Sequence, residues 1–431
     1  MHEEKGTIDL TATTELGVQT RRKGYETGLA IIGFLVFGCV ILDRNAMYYI
    51  GPFVAKEFDL SETMFGASVG ALSIGYAVFG LLAGPYADRH GRKKVMLFGI
   101  VAFSMMSGVT ALARNFVQLV VARTILGATE GTVTTTLSAI VSTQSTPRRR
   151  GLNIGIVFSS STLIGFVVAP IALTQLATGV GWRWAFALAG IPGLLVAILA
   201  WRFVSEKHVA QPSTEAESKS VPAKPRGQFR SALRIHNVRV SFVVAVLIGV
   251  WLSGVGAFVP RYLTTTGYHL DPRVMGTVVA AGGIGGFIGQ LVMGALSDRR
   301  GRRSVILLGL ALLSCYAWVV PLIAPNVALL SATLFVFSFG QVAITLAVAT
   351  IPPESVPSHL AASAVAVPVF GIELGAFGGP ILIGAVADLT GNPAMPLWLG
   401  GLATALALLV ALRYRETAGR RAARAGVSPA Q

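Results

Sequence analysis

The sequence predicts an all-α polytopic membrane protein, with twelve transmembrane helices in two pseudo-symmetric six-helix bundles. Three observations carry that expectation. Of the 431 residues, 53% are hydrophobic and only 13% charged. Apolar runs of about 20 residues, the length that crosses a bilayer as a helix, recur along the chain. A loop motif also repeats at an offset of 210 residues. A soluble domain of this size has no use for so much apolar surface.

Six runs lie near residues 27–50, 62–87, 94–112, 116–142, 150–176 and 183–204. Six more lie near 238–263, 272–297, 303–322, 326–351, 359–388 and 394–413. They divide the chain into a tail (1–26), a first bundle (27–204), a linker (205–237), a second bundle (238–413) and a closing tail (414–431). The linker contains Gln211-Pro212-Ser213-Thr214-Glu215-Ala216-Glu217-Ser218-Lys219-Ser220, polar and without hydrophobic period. It reads as a solvated connection with room for a short surface helix. Met1 to Lys23 is polar and the first run is long enough to stay as a span, so no cleavable signal is expected.

The formal net charge of +15 does not mark a nucleic-acid protein, because the basic residues sit in short clusters between apolar runs. Of 35 Lys and Arg, 28 fall in the first tail and in segments 89–94, 148–150, 202–239, 299–303 and 413–424. Cytoplasmic loops carry this excess, so a cell inner (cytoplasmic) membrane protein is expected, with both termini and the linker in the cytoplasm. Cys39 and Cys315 both fall within apolar runs and form no disulfide framework. The six histidines lack ligand spacing, so no metal site is expected. No nucleophile–base constellation suggests an enzyme.

The repeat pairs Gly84-Pro85-Tyr86-Ala87-Asp88-Arg89-His90-Gly91-Arg92-Lys93 with Gly294-Ala295-Leu296-Ser297-Asp298-Arg299-Arg300-Gly301-Arg302-Arg303. Gly165 and Pro170 map by the same offset onto Gly375 and Pro380. The second span thus aligns with the eighth and the fifth with the eleventh. Two parallel halves of this kind suit a transporter that rocks about a site at their interface. Gly84, Gly91, Gly294 and Gly301 permit close helix approach and a tight turn. Asp88, Arg89, Arg92, Asp298, Arg299 and Arg302 supply charge pairs able to lock one side shut. The paired G-x-x-x-D-R-x-G-R-[KR] loops, the twelve spans and the central linker resemble the major facilitator superfamily. That resemblance covers nearly the whole chain and implies the major facilitator fold and alternating access.

In Val40-Ile41-Leu42-Asp43-Arg44-Asn45-Ala46-Met47-Tyr48-Tyr49-Ile50 an acid and a base stand deep in an apolar run. Each costs about 2.5–3.5 kcal/mol at a helix centre on insertion scales. Arg123 and Glu130 do the same in the fourth span. Their counterparts at the repeat offset are Ser253, Gly254, Thr333 and Gly340, all uncharged, so the fold does not require these charges. A rise of about 1.5 Å per residue places Asp43 about 22 Å from the inner surface, at a level similar to Arg123. Glu130 lies about 10 Å nearer the cytoplasm on the same helical face. Asp43 or Arg44 is therefore expected to meet Arg123, and Glu130 to stand apart. Adjacent Asp43 and Arg44 point about 100° apart and are poor partners for each other. Intramembrane ionisable groups usually mark an ion or substrate path.

Leu42-Asp43-Arg44-Asn45, with Arg123-x-x-x-Gly127-x-x-Glu130-Gly131, resembles the anion:cation symporter family, which includes bacterial sugar-acid transporters. The resemblance implies Arg44 as the clamp on a substrate carboxylate and Asp43 and Glu130 as proton sites, with Arg123 modulating Asp43. An arginine stays charged and offers a forked donor to a carboxylate. A carboxylic acid in a low-dielectric cavity holds its proton, and a nearby arginine loosens it. A conformational change that separates Asp43 from Arg123 would therefore couple protons to transport.

Glu373, in Phe370-Gly371-Ile372-Glu373-Leu374-Gly375-Ala376-Phe377-Gly378-Gly379-Pro380, stands where that family usually has asparagine. It fits a third proton site, a group that repels dicarboxylates, a ligand for an amine, or a hydrogen-bonded structural acid. Tyr48 and Tyr49 fit either the cavity wall or an interfacial aromatic belt. Arg261 fits an anion attractor at the outer mouth or an exposed helix end. Gln290 and Gln341 are further polar groups for the cavity. The expectation is a proton-coupled symporter importing a small organic anion, a monomer in the bilayer with no cofactor beyond the coupling protons. A drug/proton antiporter is the nearest alternative. Its fifth-span G-x-x-x-G-P motif reads Gly165-Phe166-Val167-Val168-Ala169-Pro170 here, without the second glycine. A non-transporting membrane receptor ranks lower, since nothing resembles an output domain.

Overall fold

The computed structural model describes residues 10–206 and 228–418. In lipid no water can satisfy backbone N–H and C=O groups, so each apolar run closes its hydrogen bonds within a helix. The twelve bundle helices are α1 (Leu10–Glu57), α2 (Glu62–His90), α3 (Arg92–Ala111), α4 (Phe116–Gln144), α5 (Pro147–Val180), α6 (Trp182–Phe203), α7 (His236–Thr266), α8 (Pro272–Arg300), α9 (Arg302–Leu322), α10 (Val327–Glu354), α11 (Ser358–Thr390) and α12 (Met395–Ala411). Among the described residues, ten of these are long and apolar enough to cross a membrane. The other two are α4, which carries Arg123, Glu130 and a run of threonines, and α12, which has 17 residues. A short helix, Gln228–Leu233, precedes α7.

Helix α1 is longer than its apolar run at both ends, starting at Leu10 within the polar tail and ending at Glu57. Residues 207–227, which include the polar linker stretch 211–220, lie outside the described residues, as do 1–9 and 419–431. The loops at 58–61, 112–115, 267–271, 323–326 and 391–394 mark one end of the bundle, called here the far end. Gly91, Gly301 and the chain leading to residue 206 mark the linker end.

In the first six helices α2 packs on α4, α3 on α4 and α6, and α1 on α5 and α6. In the second six α7 packs on α11 and α12, α9 on α12, and α8 on α10. Between the halves, α2 lies along α11 and α5 along α8. The repeat maps α2 onto α8 and α5 onto α11, so these two seams are the same contact made twice. Glycine allows the approach: a Cβ on Gly66 or Gly70 of α2 would strike the carbonyls of Pro380 and Phe377, and one on Gly283 of α8 that of Phe166. Small residues at such seams let backbones meet where lipid gives no hydrophobic drive.

The apolar clusters follow the same geometry. The largest draws on both halves and lies toward the far end, with Tyr48, Phe65, Leu173, Phe258, Met275 and Ile383 among its members. Two others, nearer the linker end, belong to one half each.

The loop motif recurs in three dimensions. Gly91 and Gly301 adopt φ of 96° and 101°, a region that favours glycine, and the next helix starts one residue later. Asp88 pairs with Arg92 at 2.9 Å and Asp298 with Arg302 at 2.5 Å. The Glu416 carboxylate accepts from the backbone N–H groups of Arg302 (2.8 Å) and Arg303 (3.1 Å), capping α9. Glu206, its counterpart at the same offset, lies against Gly91. These ion pairs each stay within one half, rather than bridging the two as a lock would.

Candidate functional site

The charged residues of α1 are held by its neighbours in the first half. Helix α5 widens to a π-turn over Ile164–Val168, which frees carbonyls from the regular ladder. The Gly165 carbonyl accepts from Asn45 Nδ2 (3.0 Å) and from the Tyr49 hydroxyl (2.9 Å). Helix α4 meets α2 through Gly127 and Gly131, where a Cβ would strike the carbonyls of Leu72 and Tyr76. The glycines of the fourth-span motif are thus packing residues, and they bring Ser73 and Tyr76 of α2 to the level of Arg44.

Asp43 is fully buried. Ser107 of α3 donates toward Asp43 Oδ1 (2.6 Å) or toward the Phe186 carbonyl (2.8 Å) and has one proton to give. The second carboxylate oxygen of Asp43 has no hydrogen-bond partner. Arg123, 1% exposed, reaches α1 through the backbone: its Nη2 donates to the Arg44 carbonyl at 3.0 Å and its Nη1 to the Asp43 carbonyl at 3.4 Å. The expected meeting of Arg123 with this pair therefore occurs at main-chain oxygens and not at the Asp43 carboxylate, because the carboxylate turns toward α3. Glu130 stands apart, fully buried, with neither carboxyl oxygen hydrogen-bonded.

Arg44 crosses to the other half. Its Nη2 donates to Glu373 Oε2 of α11 at 2.6 Å and to Ser73 Oγ at 3.1 Å, and its guanidinium lies 4.6 Å from the centre of the Tyr76 ring. The pair keeps a little accessible surface, 14% for Arg44 and 9% for Glu373. Glu373 is thus the charged partner of Arg44 in this conformation.

The remaining expected site residues divide. The Tyr48 hydroxyl donates to Ser253 Oγ of α7 at 3.4 Å, another contact between the halves, and ring edges of Tyr48 and Tyr49 meet. Tyr49 leaves the group facing Glu373, since its hydroxyl is committed to Gly165 within the first half. Gln290 of α8 donates to Thr162 of α5 at 3.2 Å across the seam. Gln341 is buried and packs over Gly286 inside the second half. Arg261 is neither a free anion attractor nor an exposed helix end: Glu62 holds it by two hydrogen bonds, so it lies 12% exposed.

Sequence reasoning missed Ser73, Tyr76 and Ser107, uncharged groups that complete the contacts of Arg44 and Asp43. Ser73 and Tyr76 are three apart on α2 and so share a face. That spacing was legible, but nothing local says which helix the face meets.

The model of the Major Facilitator Superfamily matches residues 33–368 and 264–430. A hexuronate transporter of Bacillus subtilis (strain 168) is 36% identical over 181 residues, 42% of this chain and 43% of that protein. A gallate transporter of Pseudomonas putida is 27% identical over 418 residues, 89% of this chain and 91% of its own length. Among solved structures, a mutant of the nucleoside transporter NupG superposes with a TM-score of 0.72 at 14% identity, covering 91% of this chain and all of that one. Family and relatives are transporters, which agrees with the expectation that the chain is no enzyme. With twelve bundle helices in two matching sets among the described residues, a doubled loop motif and a family match over most of its length, the chain is a multi-pass membrane protein that belongs to the Major Facilitator Superfamily.

Proposed function

We propose that this chain imports a small organic anion, a carboxylate, by proton symport with alternating access. It works as a monomer in the cytoplasmic membrane with the linker end facing the cytoplasm. Arg44 clamps the carboxylate, Asp43 and Glu130 carry protons, and Arg123 fixes the backbone of the first span between them. No cofactor beyond the coupling protons is needed. Sugar-acid and aromatic-acid transporters among the relatives support a carboxylate as the cargo.

The observation that carries this reading is the hydrogen bonding of Asp43. Ser107 faces two acceptors with one proton. Ser107 can give that proton to Phe186 instead, and the second Asp43 oxygen has no donor at all, so this fully buried carboxyl lacks the donors that would hold it ionised. A buried carboxyl such as Glu130, with no donor at either oxygen, is likewise far less costly neutral than ionised. Two acids poised to hold protons beside an arginine are what coupled anion transport requires.

The contacts between the halves fit a conformation closed at the far end. Asp388 of α11 accepts from the first N–H groups of α2, Glu62 at 2.8 Å and Thr63 at 2.9 Å, beside the Arg261–Glu62 pair. In proteoliposomes holding an inward proton gradient, D-glucuronate and gallate are the first carboxylates to test. Asp43→Asn is expected to lose uphill uptake while keeping exchange, and Arg44→Ala to lose both. Undiminished accumulation by Asp43→Asn refutes the proton role.

A further inference from the structure

We propose that Glu373 is a built-in competitor: it occupies Arg44 while the transporter is empty, the incoming carboxylate displaces it, and it takes up a proton from water on leaving. This inference rests on the reading of Arg44 as the carboxylate clamp and adds the residue that the clamp must release.

The geometry is that of a bound ligand. A single Glu373 oxygen sits 2.6 Å from Arg44 Nη2, while Ser73 and the Tyr76 ring complete the guanidinium's surroundings from α2. A substrate carboxylate would seek the same charge-assisted bond. The pair is largely desolvated yet keeps a little accessible surface on both side chains. The repeat places Leu163 opposite position 373, so the architecture does not require an acid there.

Displacement leaves the Glu373 carboxylate beside an anionic solute. The ionisable groups that act on it are Arg44 and Tyr48 of α1, Tyr76 of α2 and Glu130 of α4. Helix α7 from Val240 to Pro260, α10 from Val327 to Pro353 and the whole of α12 contribute no charged side chain. Arg44 is then the only one of these groups that is cationic, and two carboxylates cannot both stay ionised on it; a proton on Glu373 removes the conflict. Anion binding thereby draws in a proton and loosens an ion pair between the halves in one event.

The test measures binding by titration calorimetry on detergent-purified full-length protein, in buffers of different ionisation enthalpy. The probe is whichever of D-glucuronate, gallate and cis,cis-muconate gives the largest thermal shift. A clamp occupied by Glu373 about nine-tenths of the time weakens apparent affinity about tenfold. Glu373→Gln is therefore expected to bind about tenfold more tightly, with about one fewer proton taken up per anion. Wild-type affinity should rise as pH falls, and this slope should flatten in the variant. Glu373→Asn, a second neutral replacement, should behave alike and guards against a folding artefact of either. Unchanged or weaker binding with wild-type proton uptake in both variants overturns the proposal. Arg44→Ala separates the two ideas: loss of binding with an inert Glu373→Gln sinks only the competitor, whereas wild-type binding by Arg44→Ala sinks the clamp itself.

Discussion

Arg261 of α7 holds the Glu62 carboxylate of α2 through two hydrogen bonds, 2.7 Å from Nε and 2.9 Å from Nη2, and so ties the halves together at the far end. The guanidinium also lies 5.0 Å from the centre of the Phe65 ring. Forked, charge-assisted pairs of this kind are the strong ones.

Glu62→Gln keeps the shape and removes the charge. Loss of one charged hydrogen-bonding partner costs about 1.5–3 kcal/mol, here charged to the closed form alone. The population open at the far end should rise at least about tenfold. Spin labels at Arg114 and His269, exposed loop residues in opposite halves, should then report a longer distance component by double electron–electron resonance. An unchanged distance distribution would show that the pair does not hold this end closed.

What the sequence disclosed, and what it did not, divides along a physical line. Helices were legible because lipid enforces one apolar span per crossing, and the duplication was legible because Asp88 and Asp298 repeat with their glycines at a fixed offset. The buried charges announced themselves through their cost in an apolar run. The partnership of Arg44 with Glu373 did not, for the two lie 329 residues apart and no local pattern selects α11 as the neighbour of α1 at that level. Arg123 meets the Asp43–Arg44 pair at the expected level, but through their carbonyls, since spacing along a helix fixes depth and not whether a guanidinium ends on a carboxylate or a carbonyl. The π-turn at Gly165 was hidden too. The sequence showed a glycine, and the structure shows a carbonyl turned to receive Asn45 and Tyr49.

The shortage of donors at Asp43 has a spectroscopic consequence. If Asp43 is the neutral acid in this conformation, its C=O stretch belongs to a protonated, hydrogen-bonded carboxyl. Infrared difference spectra should contain that band, lose it in Asp43→Asn, and shift it in Ser107→Ala, where the carboxyl loses its hydrogen-bond partner. A spectrum in which Asp43→Asn removes only ionised-carboxylate bands would contradict the neutral acid.

The Gly165 carbonyl also predicts a stability pattern. A Cβ there would collide with Ile41 and come within 3.0 Å of Asn45 Nδ2, at the point where α5 supports the charged turn of α1. Gly165→Ala should cost about 1–3 kcal/mol through overpacking and lower the thermal midpoint. Gly155, on the same helix, has nothing within 4 Å of its Cβ position. Gly155→Ala should leave the midpoint unchanged or raise it, by up to about 1 kcal/mol of helix propensity. Equal midpoints for the two variants would argue against a packed α1–α5 contact.

The α2–α11 seam supplies a conformational test that does not depend on charge. At Gly66 a side chain would run into the Pro380 carbonyl, and at Gly384 into that of Glu62, so each helix contributes a glycine to the far-end closure. Backbone cannot yield as a flexible side chain can, and the collision is relieved only if the helices part. A bulky residue at either site should therefore stall the protein with its far end open while both halves stay folded. Overpacking of about 1–3 kcal/mol confined to the closed form corresponds to a population shift of about five- to 150-fold. Gly66→Leu and Gly384→Val should lengthen the Arg114–His269 distance, cut net uptake about tenfold or more, and leave the helical content intact by circular dichroism. Gly378, on α11 with nothing within 4 Å of its Cβ position, is the control, and Gly378→Ala should transport normally. Normal uptake by both bulky variants would mean that this seam does not close during the cycle.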